Sequence, residues 1–247
     1  MQRTPPATGQ RPFLTVKARN RFNAVIVAAV ILLIAGLGAA WAQNHQATTQ
    51  AAEAAKSYTP VPPQPIEKPT TAAFLGDSYN VGIGSSIKAK RWTTLVAADQ
   101  GWAELNYGYG GTNFATAGEQ KGGRPYHDRL TDLVLSRPNI VVVSSAGNTL
   151  GIDQQPGIRK TFQALRDKLP DARIIATSPF HWDGSYPESK REFGKMMQSE
   201  VEAVDGEYLE IGHPLKNQTE HIIDDGVHPD DVGYQLIAAA VIKQLDR

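Results

Sequence analysis

Ser78 follows a short apolar run, Ala72 to Leu75, within the segment Gly76-Asp77-Ser78-Tyr79. His228 lies 150 positions later, in Asp225-Gly226-Val227-His228, ahead of Pro229 and a helical pattern. A serine on a tight turn after a strand is exposed and easily activated. An aspartate three residues before a histidine can hold one ring nitrogen while the other faces the serine. If the segments meet, Ser78, His228 and Asp225 supply nucleophile, base and orienting carboxylate, the parts of a serine acyl-transfer site. Asp224 adjoins Asp225, and the three-residue spacing selects Asp225. The residues around Ser78 lack the Gly-x-Ser-x-Gly elbow of α/β-hydrolases, so a different architecture has to present it.

That architecture is legible after Thr70. Apolar runs of strand length occur at 72–75, 103–107, 140–144, 173–177 and 207–211. Helical patterns lie between or after them, at 91–99, 126–135, 158–169, 189–204 and 232–245. Strands alternating with helices predict a parallel sheet covered on both faces by right-handed crossovers. Ile140-Val141-Val142-Val143 has no polar alternation, as expected for a central strand buried on both sides. Ligands in such folds bind beyond the carboxyl ends of the strands, near the topological switch point. Ser78, Gly111, Asn148 and His228 all follow predicted strands and are expected to converge there.

The 247-residue chain is 41% apolar and contains no cysteine, which excludes disulfides, a thiol nucleophile and thiolate zinc sites. Its net charge of zero hides an asymmetry. Residues 1–23 carry Arg3, Arg11, Lys17, Arg19 and Arg21 and no acid, leaving 20 basic and 25 acidic residues in the remainder. That mildly acidic remainder argues against a nucleic-acid partner. Residues 24–42 are 19 uncharged positions, about 28 Å of helix, close to the hydrocarbon thickness of a bilayer. The organisation expected is therefore a basic cytoplasmic leader (1–23), a transmembrane signal-anchor (24–42), a Pro/Ala/Gln/Thr-rich linker (43–70) and a catalytic domain (71–247). The basic leader orients the domain outside the cytoplasm. The alternative is secretion after cleavage near Ala42, where Ala40-Trp41-Ala42 has the small-x-small pattern. The proline-rich end of the linker is expected to be extended and to act as a spacer.

Four short blocks resemble the SGNH (GDSL-like) hydrolase family, in order along residues 71–247: Gly76-Asp77-Ser78, Asn106 to Thr112, Gly147-Asn148, and Asp225-x-x-His228. The resemblance implies a three-layer α/β/α, flavodoxin-like fold with a mostly parallel five-stranded sheet, preceded by the one N-terminal transmembrane helix expected from residues 24–42. It also implies an oxyanion hole made by the Ser78 and Gly111 N–H groups and the Asn148 amide. Gly108 and Gly110 are further candidates in the glycine block, and the spacing from Asn106 favours Gly111. Where the family usually has Gly-x-Asn-Asp, this chain has Thr149, which cannot supply the carboxylate that buttresses the loop.

The remaining candidates read as structural. His127, His213 and His221 sit at irregular positions without ligand spacing, so no metal is implied, and no cofactor either. Asp77 is expected to shape the nucleophile turn, and Asp230 or Asp231 to cap the last helix. Gly82 and Gly84 read as turn glycines, since the spacing and lysine of a phosphate loop are missing. Phe180, His181, Trp182 and Asp183, with Tyr107, Tyr109, Tyr126 and Tyr186, are candidates for an acyl pocket, a sugar-stacking surface or a plain hydrophobic lid. The expected substrate is a small acyl ester, with acetylated envelope carbohydrate as one form. Acyl transfer to a glycan hydroxyl by the same residues, and a non-catalytic envelope-binding domain, are the alternatives. The sequence carries no signal for oligomeric state.

Overall fold

The computed structural model describes residues 16–57, 68–116, 124–148, 151–181 and 187–247. The chain divides into two units, Met1–Ile66 and Glu67–Arg247.

The first unit contains one helix, α1 (Val16–Ser57). Its stretch Asn23–Lys56 holds an 18-residue window of mean hydropathy 2.6 and is long and apolar enough to cross a membrane, and its large side chains from Val25 to Trp41 are exposed. Helix continues past the apolar span through the Gln- and Ala-rich segment to Ser57. Alanine at 47, 51, 52, 54 and 55 supports this, being the strongest helix former. Most of the proline run of the linker, at 58–67, lies outside the described residues.

In the second unit five parallel strands are ordered β2-β1-β3-β4-β5, with β1 (Thr71–Gly76), β2 (Ala103–Gly108), β3 (Ile140–Val143), β4 (Arg173–Thr177) and β5 (Glu207–Leu209). Leu75 sits in register with Tyr107 of β2 on one side and Val143 of β3 on the other. The helices are α2 (Ser78–Val81), α3 (Trp92–Asp99), α4 (Leu130–Leu135), α5 (Gln155–Lys168), α6 (Glu188–Glu202) and α7 (Asp231–Leu245). Successive side chains of β1 point to opposite faces. Ala72 and Phe74 enter a core with Trp92 and Val96 of α3 and Tyr234, Ile237 and Val241 of α7. Ala73 and Leu75 enter a second core with Leu133 of α4, Phe162 and Leu165 of α5 and Met197 of α6. Ile140 and Val142 of β3 join the first core, and Val141 and Val143 the second, which is why that run has no polar position.

The chain leaves β1 toward β2 on one side and later returns to β3 on the other. The crevice where the connections diverge therefore opens at the carboxyl end of β1, immediately before Ser78.

Candidate active site

The turn that carries Ser78 is built around a buried carboxylate. Asp77 caps α2, accepting the Tyr79 N–H at 3.1 Å, and places Ser78 in the first helical turn. The Ser78 N–H has no acceptor within so short a helix, because first-turn donors have no carbonyl four residues back. Glycine is required on either side for lack of room. A Cβ on Gly76 would lie 2.3 Å from the Asn80 side chain, and one on Gly108 would lie 2.6 Å from the Val81 nitrogen. Asp77 also accepts the Ala146 N–H at 2.7 Å, binding the loop after β3 to the Ser78 turn. Burial pushes the Asp77 carboxyl up, against the pull of the Ala146 and Tyr79 N–H groups and the Lys190 charge.

The glycine block turns tightly beside it. Tyr109 donates its N–H to Gly76 O at 3.0 Å, and the Thr112 hydroxyl donates to Tyr109 O at 2.7 Å, closing a turn that exposes Gly111. Gly111 has φ 72°, the left-handed region that favours glycine. Asn148 reaches across from the third block. Its amide donates to Thr112 O at 3.1 Å and lies 3.5 Å from Asp77 Oδ2. Its own carbonyl is held by Asn113 and Gln154 at 3.1 and 2.9 Å. Ser78, Gly111 and Asn148 are thus tied through one set of bonds centred on Asp77 and Thr112. Thr149 lies outside the described residues.

Asp225 Oδ2 meets His228 Nδ1 at 2.6 Å, while Asp225 Oδ1 accepts the Val227 and His228 N–H groups, both at 2.9 Å. Burial raises the Asp225 pKa, but the imidazole bond and the two N–H groups outweigh it and hold the carboxyl below its usual range. The loop is held beside the Ser78 turn by the residue after Ser78. The Tyr79 hydroxyl donates to Val227 O at 2.7 Å, and its ring lies 5.8 Å from the His228 ring. From the other side Gly84, at φ 95°, passes so close to Pro229 that a Cβ would sit 2.3 Å from its carbonyl oxygen. Asp230, not Asp231, caps α7, accepting the Gly233 N–H at 2.8 Å. Asp231 instead binds Lys90 at 2.7 Å and the Ser86 N–H at 2.8 Å.

Two cations that sequence reasoning missed hold these parts. Arg129 donates to Tyr107 O at 2.9 Å, Gly76 O at 3.0 Å and Thr112 Oγ1 at 3.1 Å, with its guanidinium 5.1 Å from the Tyr126 ring centre. One planar fork thereby joins the end of β1 to the glycine turn. Replacing it by methionine leaves buried carbonyls short of a donor, at a cost of about 1–3 kcal/mol. Denaturant titration of Arg129→Met should show that loss, and Arg129→Lys should not restore it, since an ammonium cannot reproduce the fork. The second cation is Lys190, buried on α6.

Of the aromatic candidates, Phe180 is buried and stacks on Tyr79 at 5.5 Å and 17°, and Tyr126 is buried against Phe114 at 4.4 Å. Both are core, so Tyr126 adds no surface. Tyr107 and Tyr109 are half-buried. His181 is buried, with its ring 5.3 Å from that of His213. Trp182, Asp183 and Tyr186 lie outside the described residues. His221 is 3.3 Å from Asp230, and His127 is 3.1 Å from Asp128.

A five-stranded parallel sheet with helices on both faces carries this assembly at its switch point. A family model described as the GDSL-like lipase/acylhydrolase family matches residues 74–236, and the chain belongs to that family. A GDSL lipase of Mycobacterium tuberculosis is 24% identical over 180 residues, covering 67% of this chain and 77% of that protein. Among solved structures, a catalytic mutant of an acetylxylan esterase from Geobacillus stearothermophilus superposes with TM-score 0.56 at 15% identity, over 74% of this chain and 97% of the other. A family two carbohydrate esterase from Clostridium thermocellum in complex with cellohexaose gives TM-score 0.56 at 15% identity, over 76% and 66%. At these identities the solved structures establish the likeness of fold.

Proposed function

We propose that the chain is a membrane-anchored, extracytoplasmic serine esterase that removes small acyl groups, acetyl on envelope carbohydrate among them. Ser78 Oγ attacks the acyl carbonyl as His228 Nε2 takes its proton, and Asp225 keeps the Nδ1 proton in place and stabilises the imidazolium. Charge developing on the carbonyl oxygen is met by the Ser78 and Gly111 N–H groups and the Asn148 amide. The alcohol departs with the proton from His228. Water, deprotonated by the same ring, then releases the carboxylic acid and restores Ser78.

The observation that carries this reading is the 2.6 Å Asp225–His228 bond on a loop that Tyr79, the neighbour of Ser78, holds at Val227 O. The basic residues ahead of Asn23 and the apolar helix support the anchored location. The acetylxylan esterase likeness supports acyl groups on carbohydrate.

Labelling with a fluorophosphonate probe, followed by peptide mapping, tests the mechanism. One adduct on Ser78 is expected, and absence of labelling or an adduct elsewhere would overturn it. In the same preparation p-nitrophenyl acetate and butyrate should be cleaved faster than the long-chain esters. The reverse order would remove the small-acyl assignment.

A further inference from the structure

Lys190 lies on the amphipathic helix α6 yet is only 3% exposed. Its ammonium donates to Ala146 O and Phe180 O, both at 2.6 Å. Ala146 belongs to the loop after β3 that ends in Asn148, and its N–H is the one Asp77 accepts. Phe180 belongs to the loop after β4 and stacks on Tyr79, the residue that holds the His228 loop. Lys190 therefore fastens the two loops that support the oxyanion asparagine and the base. It also supplies positive charge to the buried Asp77 beneath Ser78.

We propose that Lys190 is a positioning residue of the esterase site, whose buried ammonium clamps the Ala146 and Phe180 loops and balances Asp77, so that losing its charge slackens the oxyanion hole. This rests on the serine-esterase reading above. Burying a lone carboxylate is costly, and a counter-charge within reach of it lowers that cost.

Burial pushes the Lys190 ammonium down to about 8, with the nearby Asp77 charge opposing. The clamp is therefore charged below about pH 8, and above it the neutral amine keeps two weaker N–H donors but no charge to set against Asp77. Among the described residues, Asp77 faces the clamp directly, and Tyr79, Tyr126, Tyr234 and Arg129 interact electrostatically with Asp77, while His181 follows Phe180. Burial raises all three phenols, so none ionises as the ammonium is lost. On α6 itself Glu188 and Arg191 pair with each other at 2.9 Å on the surface.

The test uses the full chain in detergent micelles, with active sites counted by fluorophosphonate titration and folding checked by thermal unfolding. For wild type, kcat on p-nitrophenyl acetate should fall above about pH 8. In Lys190→Met, kcat per labelled site at pH 7 should drop about 10²-fold with KM little changed, and the alkaline fall should vanish. A folded Lys190→Met with wild-type kcat overturns the proposal, as does an alkaline fall that persists in it. Should Lys190→Met not fold, the wild-type profile decides: a fall above about pH 8 supports the clamp, and a rate flat to about pH 10 overturns it. Wild type that neither labels nor hydrolyses would instead defeat the esterase reading itself.

Discussion

Ser78→Ala is expected to lower kcat/KM on p-nitrophenyl acetate by roughly 10⁶-fold, the scale on which loss of the serine removes the whole nucleophilic route. What survives would be the weak acceleration that oxyanion donors and binding give to attack by water. The substitution should leave the fold intact, because the turn is made by backbone and by Asp77. Asp77 still caps α2, and Gly82 still donates its N–H to the residue 78 carbonyl. Matching thermal unfolding alongside a lost rate assigns the loss to chemistry. A Ser78→Ala protein retaining a tenth of wild-type activity would move the nucleophile elsewhere.

Asp225→Asn is expected to cost about 10⁴-fold in kcat with KM nearly unchanged. The carboxylate accepts the Nδ1 proton at 2.6 Å and leaves Nε2 free to receive the proton of Ser78. An amide at that position can turn its NH₂ toward Nδ1, which then becomes the acceptor, and the ring proton moves to Nε2. A ring in that tautomer cannot deprotonate the serine. The amide oxygen can still take the Val227 and His228 N–H groups, so the loop should persist. Asp224→Asn is the internal control. Its carboxylate adjoins the triad in sequence without meeting the ring, and its kcat should match wild type.

All five strands were legible as short apolar runs, and the longer helices as the patterns of helical spacing that lie between or after them. The unbroken apolar run 140–143 announced a strand with a helix layer on each face, and its alternating partition between two cores is the result. Asp225 and His228 were legible because their relation is local: three residues on one loop decide the contact. Lys190 and Arg129 were not. A lysine in an amphipathic helix reads as solvated surface, and nothing nearby in sequence says that two carbonyls 44 and 10 residues away will surround it. Arg129 meets Gly76 across 53 positions, a distance no local pattern encodes. Helix α2 escaped because four residues show no period. The likeness of Tyr107, Tyr109 and Tyr126 as sequence symbols hid a difference of environment, since Tyr126 alone of the three is fully buried.

The Tyr79–Val227 hydrogen bond joins residues 148 positions apart. Bringing such distant stretches together requires closing a very long loop, and that entropy is repaid only once the sheet and α7 are in place. If His228 is the base and Ser78 the nucleophile, the two meet only after this loop has closed, and turnover then reports molecules in which Tyr79 and Val227 have come together.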